Sequence, residues 1–239
     1  NRGCSGYLYG LSIIGNLLSA GTIKKGLLLV GNTQSKNVSF FDQSTYLIFG
    51  DAGSVTALEY APENYDLMDF HFFTDGSEFE SVYIPDGGYR HPITPSSFVM
   101  EEFGNGIKRN RTHLRMEGAD VYSYANSYIP KSVQALIEHC NMDVATIDYL
   151  VMHQANKFLC ERIRKKIKIP EEKTPYTFPD FGNTSGASIP LTMVLKLKEQ
   201  LRVRDLDLLM ATIGGGFSIA SARLKTRGDI YCPELLILD

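Results

Sequence analysis

Asn183-Thr184-Ser185-Gly186 opens the run NTSGASIPLTMVLKLKEQLRVRDLDLLMATIGGGFSIASARL, residues 183–224. It reads helix, strand, glycine turn, strand. Apolar residues over 189–201 recur at three-to-four spacing, and Pro190 falls in the first turn, where proline is tolerated. Residues 208–213 are a strand, 214–216 a glycine turn, and 217–224 a second strand. The same order stands near the start of the chain. Cys4-Ser5-Gly6 opens a helix over 5–20, with Leu8, Leu11, Ile14 and Leu18 on one face and Gly21 as its stop. GLLLV (26–30), FGDAG (49–53) and SVTALEY (54–60) follow. Two copies of one α/β unit are expected. GLLLV reads as a short, buried parallel strand.

Residues 1–60 are assigned to the end of a first half, 61–116 to a connecting region and 117–239 to a second half. The connecting region is rich in Pro, Gly and polar residues and reads as loops and short strands. Helical spacing returns over 119–139, where Pro130 is expected to kink or split the helix. A strand over 149–152 and a helix over 158–167 come next. The second copy therefore has helix, strand and helix before Asn183. Only Asn1, Arg2 and Gly3 stand before Cys4. The chain is expected to begin inside its first repeat and to need the absent part in order to fold and act.

The 239 residues carry a net charge of −3 and are 44% hydrophobic. That fits a soluble globular protein and argues against a general nucleic-acid binder. No apolar run reaches the roughly 20 residues that span a bilayer. Four cysteines, Cys4, Cys140, Cys160 and Cys232, have spacings of neither a zinc site nor a disulfide framework, and free thiols suggest a reducing, cytoplasmic compartment.

Three polar residues stand at element boundaries: Cys4 at a helix start, His153 after a strand, and Asn183 at a turn before a helix. Such places aim side chains at the end of a sheet, where open α/β proteins put their sites. Singly, each has a plain structural reading: a small buried hydrophobe, a hydrogen-bonded histidine, a helix cap. Their flanks say more. Gly3-Cys4-Ser5-Gly6-Tyr7, Phe49-Gly50-Asp51-Ala52-Gly53, His153-Gln154-Ala155-Asn156, Gly182 through Pro190, and Gly214-Gly215-Gly216-Phe217 occur in that order. Together they resemble the signature segments of the β-ketoacyl-acyl-carrier-protein synthase III family.

The resemblance implies a thiolase-like α/β fold of two pseudo-repeated halves in layers αβαβα. The first half would be truncated, since about a hundred residues precede the nucleophile in that family, as the repeat comparison also suggests. It implies a Cys4–His153–Asn183 triad for decarboxylative condensation of an acyl-CoA primer with malonyl-acyl-carrier-protein, through an acyl-cysteine. It implies an oxyanion hole from the N–H groups of Cys4 and Gly215, and an acyl or pantetheine pocket at Gly182, Gly214, Gly216, Phe217 and Asn156. Metal and pyridine nucleotide have no role in this chemistry; the thioesters are substrates. The expected partners are acyl carrier protein, acyl-CoA and a second copy in a homodimer. The helix after His153 carries Lys157, Arg162, Arg164, Lys165, Lys166 and Lys168, read as a solvated basic face or as a docking face with Lys157, Arg162 and Lys166 as its contacts. An arginine commonly sits five residues after the histidine in the family; Phe158 stands there in this chain. Residues 105–115 (NGIKRNRTHLR) form a second basic cluster, read as a phosphate site or a solvated loop. Alternatives are an acyltransferase or polyketide-type homologue of a secondary pathway, and a non-catalytic scaffold.

Overall fold

The computed structural model describes residues 2–61 and 68–238; the part of the 61–116 reading that falls on 62–67 lies outside them. The main strands are β1 (Lys25–Asn32), β2 (Ala52–Glu59), β3 (Asp69–Thr74), β4 (Tyr149–Met152), β5 (Leu206–Gly214) and β6 (Ser218–Thr226). The main helices are α1 (Gly6–Ser19), α2 (Gly118–His139), α3 (Lys157–Ile167) and α4 (Ser188–Val203). β3, β6, β5 and β4 form one sheet in that order; β4 and β5 run parallel and the other neighbours antiparallel.

Both faces of this sheet are covered, as near-continuous apolar runs require. Leu150, Met152, Leu209 and Ala211 face α2 and α3, packing with Val133, Leu136 and Ile163. The alternate residues Val151, Leu208 and Met210 face α1 and α4, packing with Leu8, Leu11, Ile189 and Leu197. On the far side of α1 and α4 lies the ribbon of β1 and β2, which contributes Leu28, Val30 and Leu58. Among the described residues this makes four layers: helices, sheet, helices, ribbon.

The two echoed units match in space. After α1, β1 pairs antiparallel with β2; after α4, β5 pairs antiparallel with β6. GLLLV is thus no buried parallel strand. Its alternate residues Leu27 and Leu29 are 63% and 70% exposed, because only one face of the ribbon meets helices. β3, which falls among the expected loops, is an edge strand of the main sheet, registered on β6 from Asp69–Arg223 to Thr74–Ser218.

α2 runs unbroken through Pro130. A proline lacks the N–H that would reach the carbonyl four residues back, here Asn126. The Lys166 ammonium donates to that carbonyl at 2.8 Å, so the freed acceptor is satisfied.

The cluster over 105–115 is not a free basic loop. Arg111 makes paired hydrogen bonds to Asp86 at 2.9 and 2.8 Å. Arg109 lies against buried Asp42 at 3.5 Å, and Arg115 against Glu101 at 3.7 Å. Arg111 and Arg115 bind the connecting region to itself, and Arg109 ties it to the first half.

Candidate active site

A single 3-10 turn, Gly3–Ser5, leads into α1 and carries Cys4. Gly3 holds φ +53°, a conformation that costs an L side chain strain. Thr212 of β5 donates to the Cys4 carbonyl at 3.0 Å. The Ser5 and Ser218 hydroxyls bond at 2.6 Å. A Cβ on Gly214 would come within 2.4 Å of the Arg2 carbonyl oxygen, so only glycine lets the end of β5 lie against the turn that carries Cys4.

His153 follows β4, whose last three residues are buried. Its backbone N–H donates to Ala211 at 2.9 Å, and its ring Nδ1 meets the Ser188 hydroxyl at 2.7 Å. Gln154 ties the next residues down: its side chain donates to Met152 O at 2.9 Å and accepts from Thr177 N–H at 2.9 Å. Asn183 is buried in the turn before α4. Its Oδ1 accepts from Ser185 N–H at 2.9 Å, and its amide NH₂ makes no hydrogen bond among the described residues.

These three residues from distant chain positions line one cavity of about 500 Å³. Cys4, His153, Asn183, Ser185, Gly214, Gly215, Phe217 and Asn156 border it, with Ile48, Leu114, Val121 and Leu159 as apolar wall. Gly182 and Gly216, expected in the pocket, are not among the lining residues. Gly182 instead sits at φ +65°, where a Cβ would meet the Ile48 carbonyl at 2.7 Å; it allows the chain to turn into Asn183. Asn156 spends its Oδ1 on capping α3, accepting from Leu159 N–H at 2.8 Å. Phe217 is buried and stacks on Tyr124 at 4.4 Å.

The Cys4 thiol is held below its ordinary pKa. Burial pushes it up, but the charge of His153, a hydrogen bond from His153 and one from Ser185 outweigh burial. The thiolate is the reactive form, so this is how a nucleophile is prepared. Burial pushes Cys160 up to about 12 and raises Cys140 and Cys232. Cys160 donates its thiol to His153 O at 3.4 Å, a structural use.

Two site residues escaped the sequence reading. Ser185 lies 3.4 Å from the Cys4 sulfur and adopts φ +53°, a left-handed conformation unusual for serine. Ser188 holds the histidine ring. Both stand inside the quoted Asn-Thr-Ser segment, where hydroxyls beside a turn look like caps. On α3, Lys157 and Arg162 are exposed and Lys166 is engaged at Asn126. Arg164 is no part of a basic face: it is buried against Glu161 and the Ile169 carbonyl.

Residues 1–76 match the family described as 3-oxoacyl-[acyl-carrier-protein] synthase III, and residues 137–226 match its C-terminal part. The chain belongs to the synthase III family. Cys4 and the first glycine turn fall in the first match; His153, Asn183 and the 214–216 turn fall in the second. The β-ketoacyl-[acyl-carrier-protein] synthase III of Methylococcus capsulatus is 32% identical over 93% of this chain and 64% of its own length. A solved 3-oxoacyl-(acyl-carrier-protein) synthase III superposes with a TM-score of 0.88 at 33% identity, over 93% of this chain and 66% of that one. The enzyme of Burkholderia xenovorans gives 0.86 at 35%, over 96% and 64%. The chain spans less than two thirds of the length of these synthase III relatives and has their thiolase-like α/β fold across that span.

Proposed function

We propose that this chain carries the catalytic centre for decarboxylative Claisen condensation of an acyl-CoA primer with malonyl-acyl-carrier-protein. The observation that carries the reading is the convergence of Cys4, His153 and Asn183 on one cavity with the thiol pKa depressed. The Cys4 thiolate attacks the primer's thioester carbonyl and expels coenzyme A as its thiolate, leaving an acyl-cysteine. The N–H groups of Cys4 and Gly215 stabilise the oxyanion. The nearness of the two turns supports that pairing: a Cβ on Gly3 would lie 4.0 Å from Gly215 N.

The malonyl thioester then enters. His153 and Asn183 donate hydrogen bonds to its carbonyl oxygen, and loss of carbon dioxide leaves an enolate held by those donors. The enolate carbon attacks the acyl-cysteine, releasing Cys4 and a 3-oxoacyl thioester. The apolar cavity wall takes the acyl chain. Exposed Lys157 and Arg162 meet an acidic carrier protein, and the protein works as a homodimer.

The test is intact-mass analysis after incubation with acyl-CoA. An acyl adduct that disappears in Cys4→Ala supports a catalyst; no adduct on any cysteine favours a scaffold of the same fold.

A further inference from the structure

The hydroxyl of Ser188 does more than brace a ring. It lies 2.7 Å from His153 Nδ1 in a buried setting, and the Gln154 backbone N–H donates to it at 3.3 Å. A serine hydroxyl has one proton and two lone pairs. Gln154 occupies one lone pair. If a neutral His153 carried its proton on Nδ1, that proton would take the other lone pair, and the hydroxyl hydrogen would have to find a separate acceptor. Among the described residues, Ser188 Oγ makes no third hydrogen bond. If the hydroxyl donates to a bare Nδ1 instead, both bonds are satisfied at once.

We propose that Ser188 sets the tautomer of His153, placing the proton of the neutral ring on Nε2 toward the Cys4 side of the cavity. This deepens the reading above and rests on it only for the use of the proton: a donor aimed at the thioester oxygen of the extender. Ser188 is a positioning residue, acting through His153 without touching substrate. Its place in the fold suits the task. It opens α4, and Thr192 donates to its carbonyl at 2.8 Å, so the helix fixes its backbone. A hydroxyl also suits the charged ring, because it accepts from Nδ1–H once His153 is an imidazolium beside the Cys4 thiolate. A carboxylate at this place would favour the imidazolium throughout, and a backbone N–H would forbid it. The other ionisable groups at the ring are Cys4 from the turn before α1 and Cys160 from α3, which stays a neutral thiol; Arg2 and Tyr122 border the same cavity.

The experiment is nitrogen NMR of the five histidine rings in ¹⁵N-histidine protein, with His153→Gln to assign the signal. Cys4→Ala supplies the neutral ring without a thiolate. In that background the neutral ring of His153 is expected to show a protonated Nε2 and an unprotonated Nδ1. Ser188→Ala is expected to lose that preference and Ser188→Thr to keep it. With Cys4 present, Ser188→Ala should slow malonyl decarboxylation at least about tenfold, given that a misplaced imidazole proton is costly to catalysis. Protonated Nδ1 in the Ser188 protein, or an unchanged tautomer in Ser188→Ala, overturns the proposal. Should Ser188→Ala not fold, the tautomer of the Cys4→Ala protein and of Ser188→Thr still decides. The outcomes separate from the condensation reading: the expected tautomer with no acyl adduct on Cys4 sinks that reading and leaves this one standing.

Discussion

Phe49 and Asn183 form an isolated parallel bridge that joins the two echoed units at their turns. Asn183 N–H donates to Ile48 O at 2.8 Å, and Gly50 N–H donates to Asn183 O at 3.0 Å. The first glycine turn therefore sets the backbone position of a catalytic candidate far along the chain. A Cβ on Gly50 would stand 2.0 Å from the Phe181 carbonyl oxygen. Gly50→Ala should cost about 2 kcal/mol, as overpacking does, and should lower decarboxylation by displacing Asn183. Urea melts read the first effect, and carbon dioxide release from a malonyl thioester reads the second. Unchanged stability would show that the bridge yields freely.

Cys4 should be the first cysteine alkylated by iodoacetamide, with loss of activity. The pH midpoint of its labelling should fall below the ordinary thiol value of about 8.5. The sign follows from the causes. Burial raises this thiol, and His153 and Ser185 lower it by more. His153→Ala removes the charge and one hydrogen bond that oppose burial, so the midpoint should rise above that of the parent protein. Faster labelling of Cys160, whose thiol is pushed up to about 12, would contradict the assignment.

His153→Ala and Asn183→Ala should each cut malonyl decarboxylation by the order of 10²–10³, the usual loss for one oxyanion donor. Asn183→Ala should leave self-acylation of Cys4 the less affected of the two half-reactions. Single-turnover mass spectrometry of the acyl adduct, run beside carbon dioxide release, measures both. Equal loss of both in Asn183→Ala would mean that its amide serves the thiol step as well.

Ser185 separates strain from chemistry. Its hydroxyl meets the Cys4 sulfur, and its φ is +53°. Ser185→Ala and Ser185→Gly both remove the hydroxyl and should raise the labelling midpoint of Cys4 alike. Glycine accepts a positive φ without strain, so Ser185→Gly should melt later than Ser185→Ala by about 1 kcal/mol. If alanine proves the more stable, the turn relaxes out of the left-handed region.

Glu161 is held down to about 2 by hydrogen bonds from Arg164, and also by Tyr176. Its folded value lies below the unfolded value of about 4.3. The stability it contributes is present above 4.3 and is lost as pH falls toward 2. Glu161→Gln should cost about 2 kcal/mol at pH 7 and little at pH 2. Chemical melts at the two pH values give the comparison; an equal cost at both would make Glu161 a packing residue alone.

The sequence by itself determined the two echoed units, the helices at Cys4 and Asn183, the strand before His153, and the triad as candidates. Apolar period and turn chemistry are local properties, and they survive without knowledge of partners. Partner choice is not local. Only the tertiary structure decided that GLLLV pairs antiparallel with one face open, and that Asp69–Thr74 leaves the connecting region to edge the main sheet. The same holds for charge. Arg111, Arg164 and Lys166 read as basic surface, yet each satisfies a carboxylate or carbonyl that folding brings beside it. Ser185 and Ser188 carry no signal in the sequence because a hydroxyl there has no direction; packing α4 against β4 and the Cys4 turn gives each one a candidate site side chain to hold.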